Sequence, residues 1–165
     1  MPPNMHKRIL NEIAEANNDK SAETVVYVPH EGDIYKMLGS IQGPRETPYE
    51  GGTFLLDIKL HDNHPFAPPE IKFITKVYHP NVSSQTGAIC LDVLKSNWSP
   101  AMTLRLCLIS IQSLLDAPDA SSPQDFQVAK VYTSNKQQFI REAKTWTRVH
   151  ANVSLDAYIS SHYEL

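Results

Sequence analysis

Apolar side chains recur along residues 4–16 at Met5, Ile9, Leu10, Ile13 and Ala14. That is helical spacing with one apolar face, so an N-terminal helix is expected. The period then changes. Thr24–Val28 is rich in β-branched residues and reads as a strand; Ile34–Gln42 reads as a second, stopped by Gly43-Pro44. After Gly51-Gly52, the residues Phe54, Leu56, Ile58 and Leu60 alternate with Leu55, Asp57 and Lys59, the period of two of a third strand. A proline-rich loop, HPFAPPE, leads into a fourth, Ile71–Lys76. Four successive strands joined by turn-rich links predict an antiparallel meander.

Residues 77–102 show no clear period, and a segment this long inside a compact domain is usually functional. Thr103 then caps a helix running to about Leu115. Leu104, Cys107, Leu108, Ile111, Leu114 and Leu115 share one face, widened by Leu106 and Ile109, so this helix should be central and buried. APDASSPQD breaks the pattern. Two further helices are expected around 124–134 and 136–150, the second burying Phe139, Ile140, Ala143 and Trp146 and extending to Val149. Asn152–Leu165 is weakly patterned and reads as a tail. The order α-β-β-β-β-loop-α-α-α is an α+β fold, one antiparallel sheet packed on a central helix. No repeat or linker divides the chain, so a core over 1–151 and a tail over 152–165 are expected.

Composition narrows the function. A chain of 165 residues suits one domain with a real core. Fifteen Lys and Arg against 18 Asp and Glu leave a net charge of −3, which argues against a dedicated nucleic-acid binder. Two cysteines without a CxxC pair make no disulfide framework. The N-terminal MPPNMHKR lacks the apolar stretch of a signal peptide, and no run approaches membrane-spanning length. A soluble, intracellular protein, cytoplasmic or nuclear, is the expectation. The phosphate-binding GxxxxGK[ST], GxGxxG after a strand, HExxH and GxSxG are all missing. His61 and His64 lack partners at metal-ligand spacing and are expected to face solvent, so no metal is expected.

The remaining chemistry lies in the long loop. Cys90, in GAICLD, is a candidate nucleophile, or else a small apolar residue between Ile89 and Leu91. Cys107 belongs to the buried helix face. No His or Arg adjoins Cys90, which disfavours a hydrolase with a strongly activated thiolate. It suits a thiol that receives an acyl group from another thioester, an exchange that needs positioning more than activation. Asn81, nine residues upstream in YHPN, could stabilise an oxyanion through its amide or brace its own loop. His79 reads as a structural hydrogen-bonding residue rather than a general base.

Together these residues form a recognisable pattern. Tyr78-His79-Pro80-Asn81, GAICLDVL around Cys90 and Trp98-Ser99-Pro100-Ala101 closely resemble the core of ubiquitin-conjugating enzymes. GPRETPYEGGTF and HPFAPPEIKF, with its PxxPP element, agree, and the resemblance spans about residues 4–151. It implies the family fold, an N-terminal helix, four antiparallel strands and three helices. It implies the activity as well. Ubiquitin passes from an activating enzyme to Cys90 as a thioester and then to a substrate lysine, generally with a ligase. No cofactor is implied, since the activating enzyme uses the ATP. Ubiquitin, the activating enzyme, a ligase and substrate lysines are the implied partners of a monomer that binds neither nucleic acid nor membrane. Residue by residue, Cys90 matches the acyl-accepting cysteine and Asn81 the family asparagine. Phe66, Pro100 and Ala101 match the loops that ligases grip, Lys7 and Arg8 the basic positions facing the activating enzyme, and Ile109 a position where thioester-bound ubiquitin packs.

The resemblance has two departures. Many relatives carry an Asp just before the proline that opens the next helix, where it orients or deprotonates the incoming lysine; here that position is Ser122, which is neutral. Ser122 could instead cap a helix starting at Pro123. GAICLDVLK, Met102-Thr103-Leu104 and Pro123-Gln124-Asp125 look closest to the twenty-five-kilodalton class of chain-building members, which carry a C-terminal ubiquitin-associated domain. Only 14 residues follow Ala151, too few for that domain. A shortened chain or a member without it is expected. Two other readings are a non-catalytic member, which would typically lack the cysteine, and a conjugator of a different ubiquitin-like modifier.

Overall fold

The alternation of apolar residues is realised as a four-stranded antiparallel sheet in the order β1-β2-β3-β4, seen in a computed structural model that describes residues 3–21 and 23–163. The strands are β1 (Thr24–Tyr27), β2 (Lys36–Gln42), β3 (Thr53–Lys59) and β4 (Glu70–Phe73). Cross-strand partners share a face: Val26 sits beside Gly39, Gly39 beside Leu56, and Leu56 beside Phe73. This row lies on the inner face with Ile41, Phe54 and Ile58, all buried. A helix, α2 (Leu104–Asp116), crosses it with Leu104, Cys107, Leu108, Ile111, Leu114 and Leu115 buried. Gly39 lies under this contact: a Cβ there would stand 3.0 Å from Ile58 Cδ1, which would have to shift slightly, and at ordinary contact distance, 3.5 Å, from Leu108 Cδ2. Thr103 caps α2 as expected, accepting the Leu106 N–H. Leu106 and Ile109 do not widen the buried face: Leu106 is exposed and Ile109 half-buried, because α2 has sheet on one side only.

The first helix, α1 (Pro3–Asn18), packs against β1 and α2. Ile9 is buried and Met5 and Ile13 pack on the core as expected, but the rest of the face differs. Leu10 and Ala14 are exposed, while Ile9, Ala16 and the charged Glu12 are buried. Glu12 stands three residues from Ile9 and four from Ala16, on their face of the helix, but a carboxylate does not count as apolar. The same contact corrects the reading of His64. It is fully buried, with its Nε2 2.7 Å from Glu12 Oε2. His61 is exposed.

Beyond the loop, α3 (Phe126–Ser134) and α4 (Lys136–His150) pair with each other. Tyr132 of α3 meets Phe139 of α4 edge-on at 4.9 Å. Of the residues expected to be buried on α4, Phe139 and Ala143 are; Trp146 is half-buried, and Ile140 and Val149 are exposed, with Thr147 inside instead. The α4 face meets α3 and the Tyr78 ring, and its last turn packs on the start of β3, where Thr147 and Ala151 stand against Gly52 and the Ala151 carbonyl accepts the Thr53 N–H at 2.9 Å. The weakly patterned tail contains a further helix, α5 (Leu155–His162), with Ser154 as its cap. Leu155 and Ile159 line a cavity with Val25 and Tyr27 on the outer face of β1. Tyr158 is held above its ordinary pKa by burial, with the Tyr163 phenol and then the Asp57 carboxylate adding to it. Among the described residues, four α-helices therefore follow the sheet where three were expected. The extra one escaped notice because burial of a single side, carried mainly by Ile159, leaves little periodic signal in eight residues.

Candidate active site

The long loop is a hydrogen-bonded framework with almost no regular strand. Isolated bridges pair His79 with Val82, Val82 with Ile89 and Lys72 with Ala88. The turn inside it depends on Gly87, whose φ is +78° and whose hypothetical Cβ would fall 2.0 Å from the Phe73 carbonyl oxygen. No side chain fits there. This hairpin delivers Cys90, which is partly exposed and whose N–H donates to the Asn81 carbonyl at 2.9 Å. A short 3₁₀ turn, Asp92–Leu94, follows. The Asp92 carboxylate accepts from Val93 N–H and Asn97 Nδ2, both at 2.8 Å, and so shapes the turn after Cys90.

Asn81 is 1% exposed and every polar atom of its amide is engaged. Nδ2 donates to the carbonyls of Asp119 at 2.7 Å and Ser122 at 2.8 Å, and Oδ1 accepts the Asp119 N–H at 2.8 Å. The Pro80 carbonyl adds bonds from Gln124 and Asp125 N–H. The loop bearing Ser122 is thereby fastened to the segment bearing Cys90. With both amide hydrogens in use, Asn81 braces this loop in the conformation observed, and stabilising an oxyanion would require it to release a carbonyl.

His79 is buried beneath. Its Nε2–H donates to the Leu114 carbonyl at 2.8 Å, and Nδ1 accepts the Asn81 N–H at 3.0 Å. Burial pushes its pKa down to about 4, outweighing the Leu114 bond that favours the charged form. The ring is therefore neutral near pH 7 and structural, as its motif suggested. Cys107, the other thiol, is buried, and burial followed by the Glu12 charge raises its pKa to about 12. It is inert as a nucleophile.

Ser122 is exposed, but it does not cap a helix at Pro123. That helix starts at Phe126, and Asp125 is its cap, accepting the Val128 N–H at 3.1 Å. Asp125 also takes the Ser84 hydroxyl at 2.6 Å, joining α3 to the hairpin. Burial pushes the Asp125 carboxyl up, but the hydrogen bonds from Ser84 and the α3 N–H groups outweigh it and hold it below its ordinary value. The carboxylate in the Ser122 loop is Asp119, bound by the Ser121 hydroxyl and N–H, whose bonds lower its pKa. Neither Asp119 nor Ser84 was singled out from sequence. Asp119 had a signal in its Asx-type spacing to Ser121, whereas Ser84 had none, since it meets Asp125 from 41 residues away.

Most of the remaining residues lie on two loops joined to each other and on α1. Phe66 is 76% exposed, and Pro100 and Ala101 are exposed as well. Trp98 Nε1 donates to the Pro65 carbonyl at 2.9 Å, joining the two loops that carry them. Lys7 is exposed. Arg8 is half-buried and turned inward, donating to the Pro100 carbonyl at 2.6 Å and to Glu12 at 3.2 Å. Ile109 stands apart on α2. Among the described residues, no three His, Cys, Asp or Glu side chains converge as a metal site would require.

The family model for ubiquitin-conjugating enzymes matches residues 8–147. The ubiquitin-conjugating enzyme E2 1 of Schizosaccharomyces pombe is 51% identical over 161 residues, covering 95% of this chain and 74% of that protein. The human ubiquitin-conjugating enzyme E2 K is 42% identical over 151 residues, covering 92% of this chain and 75% of its own length. A solved ubiquitin conjugating enzyme E2 domain from Toxoplasma gondii superposes with a TM-score of 0.84 at 46% identity, covering 90% of this chain and 99% of that one.

Two outcomes are expected from this geometry. Asn81→Ala removes three buried hydrogen bonds and lowers stability by about 2–3 kcal/mol; a thermal melt of the purified variant, with Tm several degrees lower, checks it. The low pKa of His79 makes stability depend on pH. The unfolded chain takes up a proton near pH 6.5 that the fold refuses until about pH 4. Stability is therefore full above pH 6.5 and falls as pH drops toward 4, by about 3 kcal/mol from this residue. Denaturant titrations across that range should show a slope flatter by about one proton in His79→Gln than in wild type.

Proposed function

The chain belongs to the ubiquitin-conjugating enzyme family, and we propose that Cys90 is the residue on which it carries ubiquitin. The observation that carries this reading is the contrast between its two thiols: Cys90 lies open on a braced loop, while Cys107 is sealed in the core. The Cys90 thiolate attacks the carbonyl carbon of the ubiquitin C-terminal glycine, held as a thioester on the activating enzyme. A new S–C bond forms and the activating enzyme's sulfur leaves as its thiolate. The two thioesters are close in energy, so the step needs placement rather than a strong base. A lysine amine then attacks the same carbon. An N–C bond forms, Cys90 sulfur leaves as thiolate, and the amine proton passes to solvent or a nearby base.

Asn81 contributes by holding the 117–125 loop beside Cys90, and Ser122 lies on that loop where the amine must arrive. Phe66, Pro100 and Ala101 form an exposed apolar patch that suits a ligase, since exposed apolar side chains on two linked loops mark an interaction site. Lys7 serves the activating enzyme. Arg8 serves it only indirectly, since its guanidinium is spent on the protein itself. Ile109 is offered to the carried ubiquitin. A ubiquitin lysine can be the acceptor as well as a substrate lysine, so we include polyubiquitin among the products. The motifs GAICLDVLK and Pro123-Gln124-Asp125, which resemble the chain-building class, support that extension.

With activating enzyme, ATP and ubiquitin, wild type should form an adduct that thiol reductant removes. Cys90→Ser should form one that survives reductant as an oxyester, and Cys107→Ser should charge normally. Charging lost in Cys107→Ser and kept at Cys90→Ala would overturn the assignment. Ser122 carries no charge, and about one free lysine in two thousand is neutral near pH 7. Intrinsic discharge to lysine should therefore be slow and rise with pH. Ser122→Asp should raise the neutral-pH rate in single-turnover discharge, about tenfold if the carboxylate accepts the amine proton. Equal rates would leave Ser122 without a part in catalysis.

A further inference from the structure

We propose that Glu12 is a positioning residue for ligase docking: a buried carboxylate that sets the Phe66 loop and the Pro100–Ala101 turn relative to α1. This rests on the docking reading given above. Glu12 is 4% exposed, and donors from two distant parts of the chain and from its own helix converge on its two oxygens. Oε2 accepts from His64 Nε2 at 2.7 Å and from Arg8 Nε at 3.2 Å. Oε1 accepts the Leu104 N–H at 3.1 Å, the first turn of α2, where the helix dipole favours an anion. The network then reaches the exposed residues. His64 stands two residues before Phe66. Arg8 Nη2 continues to the carbonyls of Pro100 at 2.6 Å and Met102 at 3.3 Å, on either side of Ala101. Trp98 Nε1 closes the ring through the Pro65 carbonyl.

The chemistry makes this a one-position device. A buried carboxylate is costly unless its donors are all in place, so it favours the single loop arrangement that supplies them. Neither loop has a strand or helix to hold it there. The carboxylate only accepts, so His64 Nε2 carries the hydrogen. His64 Nδ1 is buried with no partner among the described residues, so Glu12 alone orients that ring through a polar contact. Replacing Glu12 by Gln keeps the shape but exchanges one acceptor for a donor. With its oxygen kept on Leu104 N–H, its amide would face the His64 and Arg8 donors.

The test is single-turnover discharge of the ubiquitin-charged protein to free lysine, with a RING-domain ligase that stimulates wild type titrated in, well below each variant's Tm. Glu12→Gln should raise the ligase concentration for half-maximal stimulation about tenfold, the size of one lost charge-assisted bond. Unstimulated discharge should stay within about twofold of wild type, which a general loss of structure would not allow. Combined with Phe66→Ala, the two increases should multiply to less than their product, because both act through one loop. An unchanged half-maximal concentration, an equal fall in unstimulated discharge, or full multiplication would each overturn the proposal. If Phe66→Ala leaves the ligase response unchanged, the docking reading fails and this proposal with it; if only Glu12→Gln is silent, the docking reading stands. Should Glu12→Gln fail to fold, His64→Gln frees the Phe66 loop while sparing the Leu104 and Arg8 bonds. It must raise the half-maximal concentration too, and no change there overturns the role.

Discussion

A primary amide buried without water has four hydrogen-bonding positions and little freedom to leave any unmet. The Asn81 side chain meets three of them through the backbone of one loop, taking the Asp119 N–H and giving to the Asp119 and Ser122 carbonyls. Its own carbonyl holds the Cys90 N–H. One residue therefore ties the Cys90 backbone to the loop that borders it. His79 supports it from below through the Nδ1 bond, and can do so only while neutral, which its burial ensures. The Pro80 carbonyl, between them, ties in the start of α3. The tripeptide His79-Pro80-Asn81 is thus a fastening device first, and its chemistry follows from what it fastens.

This accounts for a site that looks sparsely equipped. No base adjoins Cys90, and the nearest carboxylates are committed: Asp92 to its turn, Asp119 to Ser121 and Asp125 to Ser84 and α3. Transfer between thioesters does not require a strong thiolate, and rigid placement of the acceptor sulfur supplies most of what it does require. On the proposed reading, function then rests on which proteins are brought to Cys90. Cys90, Asn81 and Ser122 occupy the braced loops at one place, while Phe66, Pro100 and Ala101 hang from a second polar network centred on Glu12 at another. The core beneath both is the sheet and α2, whose close contact over Gly39 leaves little room for adjustment.

The order of elements, the antiparallel sheet, the Thr103 cap and the separate fates of Cys90 and Cys107 were all legible from residue pattern, because period and burial are tied by geometry. The motifs around Asn81 and Cys90 pointed to thioester chemistry and to the family. What the pattern missed has a common cause. Glu12 and His64 are polar, and a polar residue is assigned to solvent unless its partner is known. The partners lie 52 residues apart, so no local window contains both. The same holds for Asn81, whose bracing role became visible only through the positions of Asp119 and Ser122. Arg8 could be read as a free cation until its guanidinium was found on the Pro100 and Met102 carbonyls. The α5 helix and the true buried stripes of α1 and α4 were likewise decided by what each element faces. Sequence alone therefore determined the order of the main elements up to α4 and which residues can do chemistry. Only the tertiary structure decided which polar groups meet, because a hydrogen bond depends on two atoms brought together by the whole fold.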